Sequence, residues 1–174
     1  MSFTRRGSKS SVCQLFRKDE MSTTFPIPIW TDASYIPCPK DPGYVQSVAG
    51  DQCFYVIPGT RKSWLDSFTH CKNTGLRLAE PRTRKIMDSL AQRIKLQYTA
   101  FYTHIGGALI DGQWKWKTSN VSIDYDYWTD GEPNDDPNSG PICLSLLNGE
   151  LTWIDVKCNN PAETWPFVCE KVHG

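Results

Sequence analysis

Residues 63–75 read Ser63-Trp64-Leu65-Asp66-Ser67-Phe68-Thr69-His70-Cys71-Lys72-Asn73-Thr74-Gly75. Ser63 is placed to cap a helix, since its hydroxyl can accept a backbone N–H that no helical carbonyl reaches. Trp64 and Asp66 fall in the first turn, Cys71 comes near the end, and Gly75 is the stop. On the N-terminal side, Phe54-Tyr55-Val56-Ile57 follows Cys53 as a β-branched and aromatic strand, ended by the turn pair Pro58-Gly59. On the C-terminal side a second helix fits residues 82–97, where Ile86, Leu90 and Ile94 recur every four residues with Met87 and Ala91 alongside. Arg82, Arg84, Lys85, Arg93 and Lys95 crowd that helix and read as a solvated face.

The second half has a different texture. Trp114 and Trp116 alternate as a strand does. From Ser122 to Pro141 come acids, Tyr, Pro, Gly and Asn with almost no aliphatic residues, a loop long enough to suggest function. Asn148-Gly149 between Leu144-Ser-Leu-Leu and Leu151-Thr-Trp-Ile signals a two-residue hairpin. Trp165, Phe167 and Cys169 alternate on a closing strand, and Pro166 points to a sheet edge. Two helices followed by strands around a long acidic loop make an α+β domain.

The 174 residues amount to one ordinary domain and a tail, and 19 Lys+Arg against 19 Asp+Glu leave no basic excess for nucleic acid. No run approaches 18 apolar residues, so no membrane span is expected. Seven cysteines stand 25, 15, 18, 72, 15 and 11 residues apart. Zinc ribbons and redox pairs need closer spacing, so the cysteines read as disulfides of an oxidising compartment. Residues 1–37 read as a disordered or extended N-terminal tail, with Arg5, Arg6, Lys9, Arg17 and Lys18 early and Pro26, Pro28 and Pro37 later. The domain spans 38–174. No secretory signal is visible in the tail, which leaves a missing leader, a missing anchoring segment or an Arg/Ser-rich transit peptide; the first is preferred.

Residues 38–171 resemble the C-type lectin-like domain. Trp64-Leu-Asp66-Ser-Phe-Thr-His-Cys71 is similar to that family's first-helix signature, and Leu78-Ala79-Glu80 to the segment entering its second helix. Trp128, then Gly131-Glu132-Pro133-Asn134, resembles the start of its binding loop, and Cys143, Trp153, Asp155, Cys158 and Cys169 complete the frame. The resemblance implies a disulfide-stabilised fold of two helices, a small antiparallel sheet and a long loop region. It also implies the pairs Cys71–Cys169 and Cys143–Cys158, with Cys38–Cys53 as the extra bridge of the long form. Cys13 is left over, as an idle thiol or an intermolecular disulfide.

For the site, the resemblance implies carbohydrate recognition through a calcium ion that a sugar's vicinal hydroxyls help to coordinate. Glu132 and Asn134, around a proline typically preceded by a cis bond, resemble the mannose-type Glu-Pro-Asn selector. Asp155 is the third surviving ligand. Pro141 and Ile154 stand where the family has a glutamate and an asparagine, so calcium is expected to be weak, with Asp135, Asp136 or Asn138 as substitutes. The alternative is a calcium-independent domain for a protein or other ligand. Asp111 and Asp135 do not make up a full auxiliary calcium set, and no such site is expected. His104-Ile-Gly-Gly107 departs from the family's Trp-Ile-Gly-Leu, a matter of core packing. Asn120-Val-Ser122 is an N-glycosylation sequon. No nucleophile elbow, zinc-protease motif or phosphate loop is found, and His70, His104 and His173 lack carboxylate partners in sequence, so no enzyme is expected. A secreted or extracellular protein that takes a glycan or glycoprotein partner is the resulting expectation.

Overall fold

A computed structural model describes Cys38, the backbone of residues 44–46, and residues 52–57, 59–97 and 100–171. The expected tail, Cys13 and His173 lie outside the described residues. Ser63 caps α1 (Trp64–Asn73) as expected, its Oγ accepting from the Asp66 N–H at 3.2 Å, and Gly75 takes a positive φ of 75° just past the Thr74 C-cap. Buried Trp64 donates its indole N–H to the Ile105 carbonyl at 2.7 Å, which fixes the helix to the strand β4 (Tyr102–Ile110). The second helix, α2 (Arg84–Gln97), starts two residues later than its apolar period suggests. The Arg82 N–H is taken by Gln52, and Thr83 Oγ1 accepts from the Ile86 N–H, so Thr83 serves as the cap. Ile86, Met87, Leu90, Ala91 and Ile94 are all buried, while Arg82, Arg84, Lys85, Arg93 and Lys95 are exposed.

Among the described residues the strands form two four-stranded antiparallel sheets. The first has the order β1 (Tyr44–Gln46), β2 (Cys53–Val56), β8 (Val168–Lys171), β3 (Arg77–Leu78). The second has the order β5 (Gln113–Trp116), β4, β6 (Ile142–Leu147), β7 (Thr152–Lys157). Pro166 therefore does not mark an edge. It precedes β8, which is central, and its carbonyl accepts from the His104 N–H at 2.8 Å. The hairpin between β6 and β7 is not a two-residue turn either: Leu147 pairs with Thr152, leaving residues 148–151 as the connection. Asn148 is buried and spent elsewhere, its amide donating to Ala100 and its N–H to Phe101, and the positive φ (62°) falls on Leu151.

Three disulfides join Cys38 to Cys53, Cys71 to Cys169 and Cys143 to Cys158. The second ties α1 to β8 across 98 residues, and the third braces β6 against the end of β7. In the chain-entropy account such closures contribute about 3–5 kcal/mol each, which matters in a domain of this size. Around the last two disulfides pack Trp64, Leu78, Val156 and Phe167; a second cluster gathers the α2 stripe with Trp116, Tyr127, Leu144, Leu146 and Trp153.

The His104-Ile-Gly-Gly107 departure is indeed a packing feature. His104 is buried, with Nδ1 2.7 Å from Ser145 Oγ and Nε2 3.2 and 3.3 Å from the Lys62 and Glu163 carbonyls. Two carbonyls can only accept, so Nε2 carries the proton and Nδ1 accepts from Ser145. Trp165 lies over the ring with centroids 5.1 Å apart. A Cβ at Gly106 would come within 2.7 Å of the Leu78 carbonyl oxygen, so only glycine lets β4 approach the β3 segment this closely.

Beside that approach Glu80 and Glu170, both buried, form a compensated network. Arg77 donates to Glu170 through Nε at 3.1 Å and Nη2 at 2.7 Å, and its Nη1 lies 3.3 Å from Glu80. Gln52 Nε2 and the Glu80 N–H complete Glu170 at 2.7 and 2.9 Å, while Glu80 Oε1 accepts from the Thr118 and Ser119 N–H groups at 2.6 and 3.2 Å. Burial acts to lower the Arg77 pKa, and Glu170 and Glu80 reverse it to a net rise.

Candidate functional site

The acidic stretch 122–141 is ordered by the free edge of β7. Trp153 donates its N–H to Tyr127 at 2.7 Å and accepts from the Thr129 N–H at 2.8 Å, so residues 127–129 add a short parallel bridge. Sequence alone showed no element here because the partner lies some twenty-five residues away. Trp116, Tyr125, Tyr127 and Trp128 surround the Trp153 ring, at centroid distances of 6.2, 5.0, 5.4 and 5.7 Å. This aromatic floor carries the loop from Thr129 onward.

Past Gly131 the Glu132–Pro133 bond is cis, as the resemblance implies. Buried Asp155, on β7, gathers the turn: Oδ1 accepts from the Asn134 N–H at 2.9 Å and Oδ2 from the Asp135 N–H at 3.0 Å. Asn134 donates its side-chain amide to Glu132 Oε1 at 2.9 Å. The fold thus brings Glu132, Asn134 and Asp155 together. Glu132 Oε2 is sealed from solvent and accepts no N–H, and the Glu132 carboxyl lies against that of Asp155. Burial, then the hydrogen bond and charge of Asp155, push the Glu132 carboxyl up to about 6. Asp135 is raised too, by burial and Asp155, against the pull of Lys157.

The other expected substitutes do not join them. Asp136 accepts from the Asn138 N–H and amide, each at 2.9 Å, as the cap of a 3₁₀ turn over Pro137–Ser139. Pro141 is exposed, and its carbonyl serves the Cys158 N–H at 3.0 Å. Ile154 is half-buried against the cluster holding Cys143 and Cys158. Asn120 is exposed in the turn after β5, with φ 57° and its N–H on the Trp116 carbonyl. A residue that sequence reasoning missed is Glu163, whose Oε2 is also sealed without a partner. Burial raises its carboxyl, Asp135 adds to the rise, and Asn160 and Lys157 oppose it. No motif marks Glu163, whose neighbours are Asn160 and Lys157 nearby in the chain and Asp135 far from it.

Calcium takes six to eight hard oxygens. Among the described residues no group of three or more His, Cys, Asp and Glu side chains is placed to hold a metal. Two carboxylates and one amide are nevertheless donors of the right kind, and the sealed Glu132 oxygen beside Asp155 is a feature that a cation would satisfy. They would supply only part of such a shell.

Fold and site together define a disulfide-framed recognition domain with its loop mounted on a sheet edge. The family model "Lectin C-type domain" matches residues 60–171, and the chain belongs to that family. Human Collectin-10 is 27% identical over 121 residues, which cover 69% of this chain and 42% of that protein, so the chain spans less than half the length of this relative. The cow C-type carbohydrate-recognition domain of CD23, solved in the presence of a GlcNAc2Man3 oligosaccharide, is similar with TM-score 0.60 and 26% identity, covering 79% of this chain and 98% of that one. A calcium-independent type II antifreeze protein is similar with TM-score 0.61 and 27% identity, covering 78% and 95%.

Proposed function

We propose that the protein is a carbohydrate-recognition module rather than an enzyme, taking a glycan or glycoprotein at the loop formed by Glu132, Asn134 and Asp155. The observation that carries this reading is the convergence of Glu132, Asn134 and Asp155, in which Glu132 Oε2 is sealed from solvent and the Glu132 carboxyl lies against that of Asp155. Calcium, when bound, supplies coordination for a sugar's paired hydroxyls. Glu132 accepts from a hydroxyl and Asn134 donates to one, while Asp155 holds the Asn134–Asp135 backbone so that both selector side chains stay in place. With Pro141 and Ile154 in two ligand positions, the ion is held in the weak range of extracellular modules, about 10⁻⁴–10⁻³ M. The order Glu-Pro-Asn supports mannose-type selection. Three disulfides support an extracellular setting, and exposed Asn120 would carry a glycan there.

A second reading keeps the fold and binds a protein or other ligand without calcium. The packing of Ile154 against the disulfide cluster favours it, because that side chain contributes hydrocarbon instead of an oxygen. Chromatography on mannan and galactan resins, with and without EDTA, separates the two. Retention on mannan released by EDTA is the expected result; retention that survives EDTA removes calcium from the mechanism, and passage through both resins removes the glycan.

A further inference from the structure

A second concave feature lies on the same edge of β7, where α2, residues 126–128 and the β6–β7 connection meet. It is an open groove of about 400 Å³, lined mainly by polar groups. Arg84, Asp88 and Gln92 stand four residues apart on α2 and so share one face. Opposite them are Glu150, Thr152 and half-buried Trp128.

The walls are held before any ligand arrives. Arg84 donates to the Asp126 carbonyl at 2.9 Å and its guanidinium sits 5.1 Å from the Tyr127 ring centroid; Tyr127 donates its hydroxyl to Asp88 Oδ1 at 2.6 Å. Gln92 and Glu150, by contrast, are exposed with no hydrogen-bond partner among the described residues. The lining offers charges of both signs, an amide that both donates and accepts, and an indole edge. A simple cation or anion would meet a like charge there, whereas a neutral polyol, whose every hydroxyl donates and accepts, would be matched.

We infer that this groove is a second saccharide subsite, independent of calcium, for another unit of the glycan held at the Glu132 loop. The inference rests on the glycan reading above. Thr152, at the groove, is three residues from Asp155 along β7, about 10 Å of strand with the two side chains on opposite faces, so the path from groove to loop runs along residues 128–132 at the strand's edge. The Thr129 and Thr152 hydroxyls, 2.7 Å apart, bridge the intervening surface. One oligosaccharide spans that interval.

Calorimetry with mannose and with linear mannopentaose, on the wild type and the Gln92→Ala/Glu150→Ala variant, tests this. Wild type is expected to prefer mannopentaose about tenfold, a difference easily resolved. The variant loses that preference while its mannose and calcium affinities stay unchanged. In EDTA, mannopentaose should still shift the amide resonances of Gln92, Trp128 and Leu151. A variant that keeps the preference, or shifts confined to residues 131–135, overturns the subsite alone. If neither sugar binds with calcium present, the glycan reading fails and the subsite fails with it.

Discussion

The fold gathers two pairs of carboxylates and treats them oppositely. Glu80 and Glu170 are buried, yet Arg77, Gln52 and backbone N–H groups answer their charge. Glu132 and Asp155 receive only backbone and amide N–H groups, with no ion pair to a basic side chain among the described residues. A carboxylate pair with its own cation is a framework element. A pair without one is left with the cost of burial and of its own repulsion, and burial, then Asp155, raises the Glu132 carboxyl to about 6.

Removing the internal cation should have the largest effect. Arg77→Met leaves Glu170 and Glu80 buried without their guanidinium and is expected to destabilise by about 3–5 kcal/mol in urea unfolding. A loss under about 1 kcal/mol would mean that the N–H donors alone suffice. His104 is the intermediate case, a buried group that stays neutral: burial lowers its pKa to about 4, with the Glu163 and Lys62 carbonyls opposing. The unfolded state then binds more protons between about pH 6.5 and 4, so this contribution is present above 6.5 and lost as pH falls. It amounts to about 3 kcal/mol, and His104→Gln should flatten that part of the pH–stability curve. Glu132, whose pKa is raised, acts with the opposite sign: its contribution is present below its ordinary value and lost as pH rises through about 6.

Smaller effects come from rebuilding the uncompensated pair. Pro141→Glu with Ile154→Asn should tighten calcium in calorimetric titration, and the half-buried amide should lower stability by about 1–3 kcal/mol. Unchanged calcium affinity in a folded variant would show that the loop has left calcium geometry. Glu132→Gln removes a charge that burial and Asp155 disfavour, so stability at neutral pH in urea unfolding should rise slightly rather than fall. The same variant should lose measurable calcium binding, and retained binding would move the ion elsewhere.

Much of the frame was legible in the residues. The Ser63 cap, the Gly75 stop and the Ile86–Leu90–Ile94 stripe are local signals, and each is realised. Local signals failed where a distant partner took the group they concerned. Asn148 looked like a turn residue but is anchored to Ala100 and Phe101, and Pro166 looked like an edge marker but serves His104 before a central strand. For the site, the triplet around Pro133 named two side chains, while the groove on α2 had no signature, being assembled from segments far apart in the chain.

The sequence by itself determined the periodic elements, the donor types in the loop and, through resemblance, the cysteine partners. These follow from short-range backbone preferences and from a motif order readable in one dimension. Only the tertiary structure decided which carboxylates keep a cation. Arg77 and Glu170 are 93 residues apart and meet because β3 pairs with β8; Glu132 and Asp155 meet because the loop lies along β7, where no basic side chain forms an ion pair with them among the described residues. Charge compensation acts across a few ångströms of space, and which residues come that close is a property of strand pairing rather than of neighbours along the chain.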